Sequence, residues 1–369
     1  MNNVQIYSPD KFGFYQFENY KTYSKAEAME YALRNPSKKC HFNFNDEVFS
    51  KIDTKKEPNI PLKDLYELRC RQIRNSYDYV VLFYSGGADS HNILMNWLNS
   101  GCKLDEVATI WSYDATRDKD SYSDAEQSHV AIPLIKELQK THNFNFRLID
   151  RSEIILDFIN KEQDNMLYYT YKHTSPNNGC ISYLRKNIKE WQDMIASGKR
   201  LCFVWGKDKP LITITDNRFE FCFSDIMDGN VSAMVQQNYY QGWYDELFYW
   251  TPDLPELPIK QAHVIKKAIL SINGKNIKNF IPKNPLENSH TIELPWNNMK
   301  IPQSVLATIL YPYWDPNTFS CGKSPSLIYS RLDQWLWDSN LPEKNIFQSV
   351  IKRMNDFTEC AYTLKHYEL

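Results

Sequence analysis

An apolar run stops at a pair of glycines and restarts as a helix in YDYVVLFYSGGADSHNILMNWL, Tyr77 to Leu98. Its first half does not alternate, so it reads as a strand buried on both faces; the second places Ile93, Leu94, Trp97 and Leu98 on one helical stripe. Glycine is scarce, 11 in 369 residues, and Gly86-Gly87 is the only adjacent pair. A strand-to-helix turn of this composition suits phosphate. Glycines let the backbone approach closely, successive amides point inward, and the helix N-terminus favours negative charge. Ser85 and Ser90 add hydroxyl donors. Asp89 would repel a bare anion unless it caps the helix or meets phosphate through a metal ion, which points to a magnesium-bound pyrophosphate.

The flanking chain repeats the same alternation. The spacing predicts strands at 78–84, 105–112, 144–150 and 199–206, with helices at 62–74, 89–100 and 122–141 and helical segments up to about 197. The expected fold is α/β: a mostly parallel twisted sheet with helices on both faces and its ligand at the carboxyl ends of the strands. PLITITDNRFEFCFSD then reads as a hairpin about Asp216-Asn217, and WTPDLPELPIKQAH as a proline-rich break. Three regions are expected: an N-terminal α+β segment at 1–60, a nucleotide domain at 61–230 and a mixed, mainly helical region at 231–369.

Composition excludes several classes. The net charge of −2 does not by itself indicate a nucleic-acid partner, a local basic groove staying open, and no segment approaches the length of a membrane span or has the form of a secretory signal. Eight cysteines without a C-x-x-C pair indicate neither a disulfide framework nor a zinc ribbon, so a reduced, cytoplasmic protein is expected. The turn fits neither G-x-x-x-x-G-K-[ST], nor G-x-G-x-x-G, nor G-x-S-x-G.

Ser85-Gly86-Gly87-Ala88-Asp89-Ser90 resembles the S-G-G-x-D-S signature of the PP-loop ATP pyrophosphatases, the adenine nucleotide alpha hydrolase-like superfamily. The resemblance covers roughly residues 60 to 230 and is nearest to asparagine-synthetase-like domains and to uncharacterised phage-encoded members. It implies cleavage of ATP to AMP and pyrophosphate with Mg2+, a substrate carbonyl or carboxyl oxygen being adenylated and then attacked by nitrogen. It implies that Tyr84, Ser85, Gly86, Gly87, Ala88 and Ser90 hold the nucleotide phosphates and that Asp89 binds or orients the metal. Ile110, Trp111 and Ser112 would lie near adenine; Lys207 or Lys209 would face phosphate and Asp208 the metal. WGKDKP departs from the G-x-x-x-D-E pattern of asparagine synthetase and reads equally as a solvated turn.

The acceptor is an unknown small molecule or macromolecule. An amino-terminal glutaminase would need a nucleophilic cysteine, and residue 2 is Asn, so free ammonia, an amine substrate or a partner protein is the expected nitrogen donor. A sulfur-transfer or phosphoadenylylsulfate-reductase-like enzyme and a non-catalytic nucleotide-binding module are the alternatives. Cys180 and Arg185 mark a further contact candidate at a helix start. Asp114, Asp118, Asp120, Asp225 and Asp228 are secondary metal candidates, and Asp245-Glu246 loosely resembles the D-E of some relatives. His91 is expected on the helix surface, and QQNYYQGWYDELFYW reads either as a stacking platform or as core between domains.

Overall fold

The protein's structure, a computed structural model, describes residues 9–111, 127–162, 180–206, 209–215, 218–225, 242–272, 291–294, 299–315, 336–356 and 362–369. The chain opens with strands β1 (Phe14–Gln16) and β2 (Lys21–Thr22), helix α1 (Lys25–Arg34), strand β3 (Cys40–Asn43) and a single turn, α2 (Asp46–Phe49). Ser24 caps α1 by accepting the Glu27 amide. Helix α3 (Leu62–Ser76) follows Pro61 and buries Leu65, Tyr66, Arg69 and Ile73.

The central sheet begins at β4 (Tyr79–Phe83) and continues through α4 (Ala88–Asn99), β5 (Glu106–Trp111), α5 (Ile132–Leu138), β6 (Asn145–Asp150) and α6 (Ser152–Glu162). After α7 (Cys180–Asn187) and α8 (Lys189–Ala196) comes β7 (Leu201–Trp205). An antiparallel hairpin, β8 (Leu211–Thr215) and β9 (Arg218–Cys222), precedes β10 (Trp243–Leu247). The turn pair Asp216-Asn217 lies outside the described residues.

The strand order is β10-β7-β4-β5-β6, and every pairing is parallel. Adjacent residues of β10 show that helices cover both faces, since successive strand side chains point opposite ways. Asp245 meets Arg185 of α7, while Glu246 meets Arg69 of α3. Trp191 of α8 packs on Phe83 and Phe203. The fold is therefore the expected α/β architecture. Its fifth strand, β10, lies beyond residue 230 and was not anticipated from the sequence.

The remaining elements are α9 (Glu256–Ile272), an antiparallel pair β11 (Thr291–Leu294) and β12 (Met299–Pro302), α10 (Gln303–Leu310), α11 (Glu343–Asp356), β13 (Tyr362–Leu364) and β14 (His366–Glu368). Strand β13 joins β3 in parallel and β14 joins β9, so the last residues bridge the N-terminal sheet and the hairpin. One apolar core runs from Tyr15 and Phe42 through Val80–Leu82 to Leu306 and Tyr311. A smaller cluster joins α6 to α11 through Phe158, Phe347 and Val350. Among the described residues no helix is long and apolar enough to cross a membrane.

A buried network binds the N-terminal segment to the sheet. Glu246 accepts Lys11 Nζ at 2.6 and 2.7 Å, Arg69 Nη2 at 2.6 Å and the Tyr77 hydroxyl, and Asp253 pairs with Lys11 at 2.8 Å. Charges this deeply buried are held by pairing and hydrogen bonding.

Candidate functional site

The chain order of the sheet reverses between β4 and β7: β5 and β6 extend to one side, β7 and β10 to the other. Such a switch point opens a crevice at the strands' carboxyl ends. Residues 85–90 leave β4 there, and Gly206 leaves β7 beside them.

The loop is organised by its own serines. Gly86 adopts φ +88°, a conformation strained for any side chain, and Gly87 stands at the N-cap of α4 without a side-chain cap. Ser90 Oγ accepts the Ser85 amide at 3.2 Å and donates to the Gly87 carbonyl at 3.0 Å. Ser85 Oγ lies 3.2 Å from Ser90 Oγ and accepts the Gly87 amide at 3.2 Å. Ser85 is exposed and Ser90 is buried. The result is a glycine turn held in shape at the N-terminus of a 12-residue helix, a ready-made anion site.

Asp89 lies in the first turn of α4. Its Oδ1 is 2.9 Å from Lys209 Nζ and accepts the Tyr311 hydroxyl at 2.6 Å. Its backbone carbonyl accepts the Tyr249 hydroxyl at 2.8 Å, and Tyr249 accepts Asn92 Nδ2 at 3.0 Å. Tyr249 and Tyr311 stack with centroids 5.5 Å apart. Burial, reinforced by the Asp89 charge, pushes the Tyr311 phenol well up, so it stays a donor at neutral pH.

Sequence-expected residues fall in different places. Lys209 is buried against Asp89, whereas Lys207, Asp208 and Ser112 lie outside the described residues. Ile110 and Trp111 end β5 half-buried, and the Trp111 carbonyl accepts the Arg151 amide at 3.0 Å. Ala88 is half-buried at the start of α4. Tyr84 is buried: its amide and carbonyl bond to Ala108 and Thr109 of β5, and its hydroxyl lies 3.2 Å from His91 Nδ1.

The structure corrects the surface placement of His91, which is 4% exposed because Tyr84 and Trp314 cover that face of α4. Burial pushes its imidazole down to about 4, against a hydrogen bond with the Tyr313 backbone. Asp245 and Glu246 are ion-paired inside β10, with Arg185 and Arg69 respectively. Asp225 is buried and accepts the Tyr15 hydroxyl at 2.5 Å; Asp114, Asp118, Asp120 and Asp228 lie outside the described residues. Cys180 begins α7. Cys70 and Cys202 are fully buried, and burial pushes both thiols well up.

Asp89 offers the hard oxygen that magnesium prefers. Among the described residues no group of three or more His, Cys, Asp or Glu is arranged to hold a metal. That donor set fits a magnesium carried largely by nucleotide phosphates, with one carboxylate from the protein. Tyr311 is the contact that the sequence reading misses altogether; Tyr249 and Gly206 lie in segments singled out there, the aromatic run and WGKDKP, but neither residue is given its contact with the start of α4.

No known family model matches the chain, and no curated protein does. Among solved structures it is similar to the NAD+ synthetase from Burkholderia pseudomallei, at 12% identity and a TM-score of 0.28, over 84% of this chain and 92% of that one. At that similarity the fold and the site rest on this chain's own geometry.

Proposed function

We propose that the chain is an ATP-dependent, AMP-forming ligase that adenylates a carbonyl or carboxyl oxygen for attack by a nitrogen nucleophile. The observation that carries this reading is the Ser85–Ser90 turn, set at the sheet's switch point with a carboxylate and an ammonium beside it. A site for simple anion binding gains nothing from Asp89. A site for a metal–pyrophosphate leaving group does.

In this reading the loop amides that the serines leave open and the exposed Ser85 hydroxyl hold the β and γ phosphates while Ser90 keeps the turn in shape, and Lys209 exchanges part of its contact with Asp89 for phosphate oxygen. Ile110 and Trp111 border the adenine. Magnesium, when bound, offsets the charge that builds on the departing pyrophosphate. The acceptor oxygen attacks the α-phosphorus as the bond to the β-phosphate oxygen breaks, and nitrogen then displaces AMP from the activated carbon. The protein's share is positioning and charge compensation.

The test is product analysis of α-labelled ATP with magnesium, with and without a small-molecule cell extract, for the wild type and Asp89→Ala. Extract-dependent AMP, lost in the variant, is expected. ADP as product would overturn the chemistry, and AMP formation undiminished in Asp89→Ala would remove this loop from it.

A further inference from the structure

We infer that Tyr311 is a positioning residue for magnesium-dependent nucleotide binding: its hydroxyl, brought from beyond α10, fixes the Asp89 carboxylate in the orientation that addresses a divalent cation on the nucleotide. This rests on the ATP-binding reading of the same loop and adds to it a residue outside the glycine turn.

Three observations carry it. First, a carboxylate in the first turn of a helix has several rotamers open to it, yet Asp89 Oδ1 is tied at once to Tyr311 at 2.6 Å and to Lys209 at 2.9 Å. Two donors on one oxygen fix both the side-chain torsion and the plane of the carboxylate. Second, Tyr311 is itself immobilised. It is 1% exposed, its amide donates to the Ala307 carbonyl at 2.9 Å, and its ring packs against both Tyr249 and Tyr66. Third, Tyr249 binds the backbone carbonyl of the same residue, so the main chain and side chain of Asp89 are anchored by a stacked pair from one aromatic cluster. Lys209 Nζ, 5.6 Å from the Tyr311 ring centroid, keeps the ammonium on that platform. Positioned ligands are what a cation with strict octahedral demands rewards.

A buried tyrosine needs a hydrogen-bond partner in any case, so a purely structural role must be separated from positioning. Calorimetric binding of ATP across a magnesium titration does so. Tyr311→Phe keeps the ring in its stack and removes only the hydroxyl. We expect it to raise the magnesium concentration for half-maximal ATP binding by about tenfold, with metal-free ATP affinity unchanged. In an Asp89→Asn background the same replacement should change nothing further, because the hydroxyl acts through that carboxylate. A magnesium midpoint in Tyr311→Phe equal to that of the wild type would overturn the inference. So would a shift that persists in full with Asp89→Asn. Wild-type protein that binds no ATP at any magnesium concentration would remove the underlying reading, a distinct result. The thermal unfolding temperature of each variant without ligand reports whether the fold is retained.

Discussion

Gly206 lies in backbone contact with the helix start at Ser90: a Cβ at position 206 would fall 3.0 Å from the Ser90 amide nitrogen and 3.1 Å from the Asp89 carbonyl carbon. These two nearest atoms are backbone and cannot swing away; the third, Ile93 Cδ1 at 3.2 Å, is a side-chain atom. Any side chain at 206 must therefore push β7 from the Ser85–Ser90 turn. Gly206→Ala should destabilise the fold by about 1–3 kcal/mol, the range for forcing atoms into a packed site. It should also weaken ATP binding by about tenfold. Unfolding midpoints and binding calorimetry read the two effects separately, and an alanine variant that binds ATP like the wild type would show that the turn tolerates displacement.

Arg185 and Asp245 form a buried pair at 2.7 Å, with Trp205 Nε1 donating to the same carboxylate oxygen at 2.6 Å. Burial pushes the Asp245 carboxyl up and the Arg185 guanidinium down, the direction expected where desolvation opposes charge. Arg185 Nε and Nη2 have no hydrogen-bond partner among the described residues. The guanidinium instead faces Phe203 at 4.5 Å and Trp205 and Trp243 at 5.6 Å. Asp245→Ala strands that cation and should cost about 3–5 kcal/mol in urea unfolding. Pairing it with Arg185→Met should recover most of the loss. A single variant as unstable as the double would contradict the account.

How much of this was legible in the sequence follows from what each element reports locally. The strands at 79–83, 106–111, 145–150 and 201–205 are unbroken by turn residues and announce themselves. So does the glycine turn, because a strand, a glycine pair and a helix start are written in adjacent residues. Strand β10 was hidden because WYDEL carries two adjacent acids, which argue against burial until their partners are known. Those partners, Arg185 and Arg69, are 60 and 177 residues away. His91 misled for a related reason: helical periodicity gives the face but not what Trp314 later lays on it. Tyr311 lies 222 residues from Asp89 in a segment without a motif, so only tertiary structure could place it.

Lys209 is 6% exposed and shares Asp89 Oδ1 with Tyr311. In the proposed reaction an ammonium held there already stands beside the loop when nucleotide arrives and has only to shift part of its Asp89 contact to phosphate. Lys209→Met should lower the rate of AMP formation by about 100-fold or more while leaving the protein folded. Single-turnover measurements with α-labelled ATP test this. A variant that keeps its rate and loses only ATP affinity would limit Lys209 to ground-state binding.

Glu57 supplies a pH dependence whose sign is fixed by its partners. Lys260 Nζ at 2.6 Å and then Lys267 donate to its carboxylate and draw it from 4.5 down to about 2, against desolvation. A carboxyl depressed in the folded state binds fewer protons than in the unfolded chain, so its stabilisation is fully present above pH 4.5 and is lost as the pH falls towards 2. The side chain is 23% exposed and meets two flexible lysines, so screening reduces the contribution to about 1 kcal/mol. Glu57→Gln should therefore lower the urea midpoint at neutral pH, and the gap from wild type should close as the pH falls from about 5 to about 2. Raising salt to about 1 M should narrow the gap at neutral pH as well, since the pair is near the surface. A gap constant across pH would mean that Glu57 acts by packing on α9 rather than by its charge.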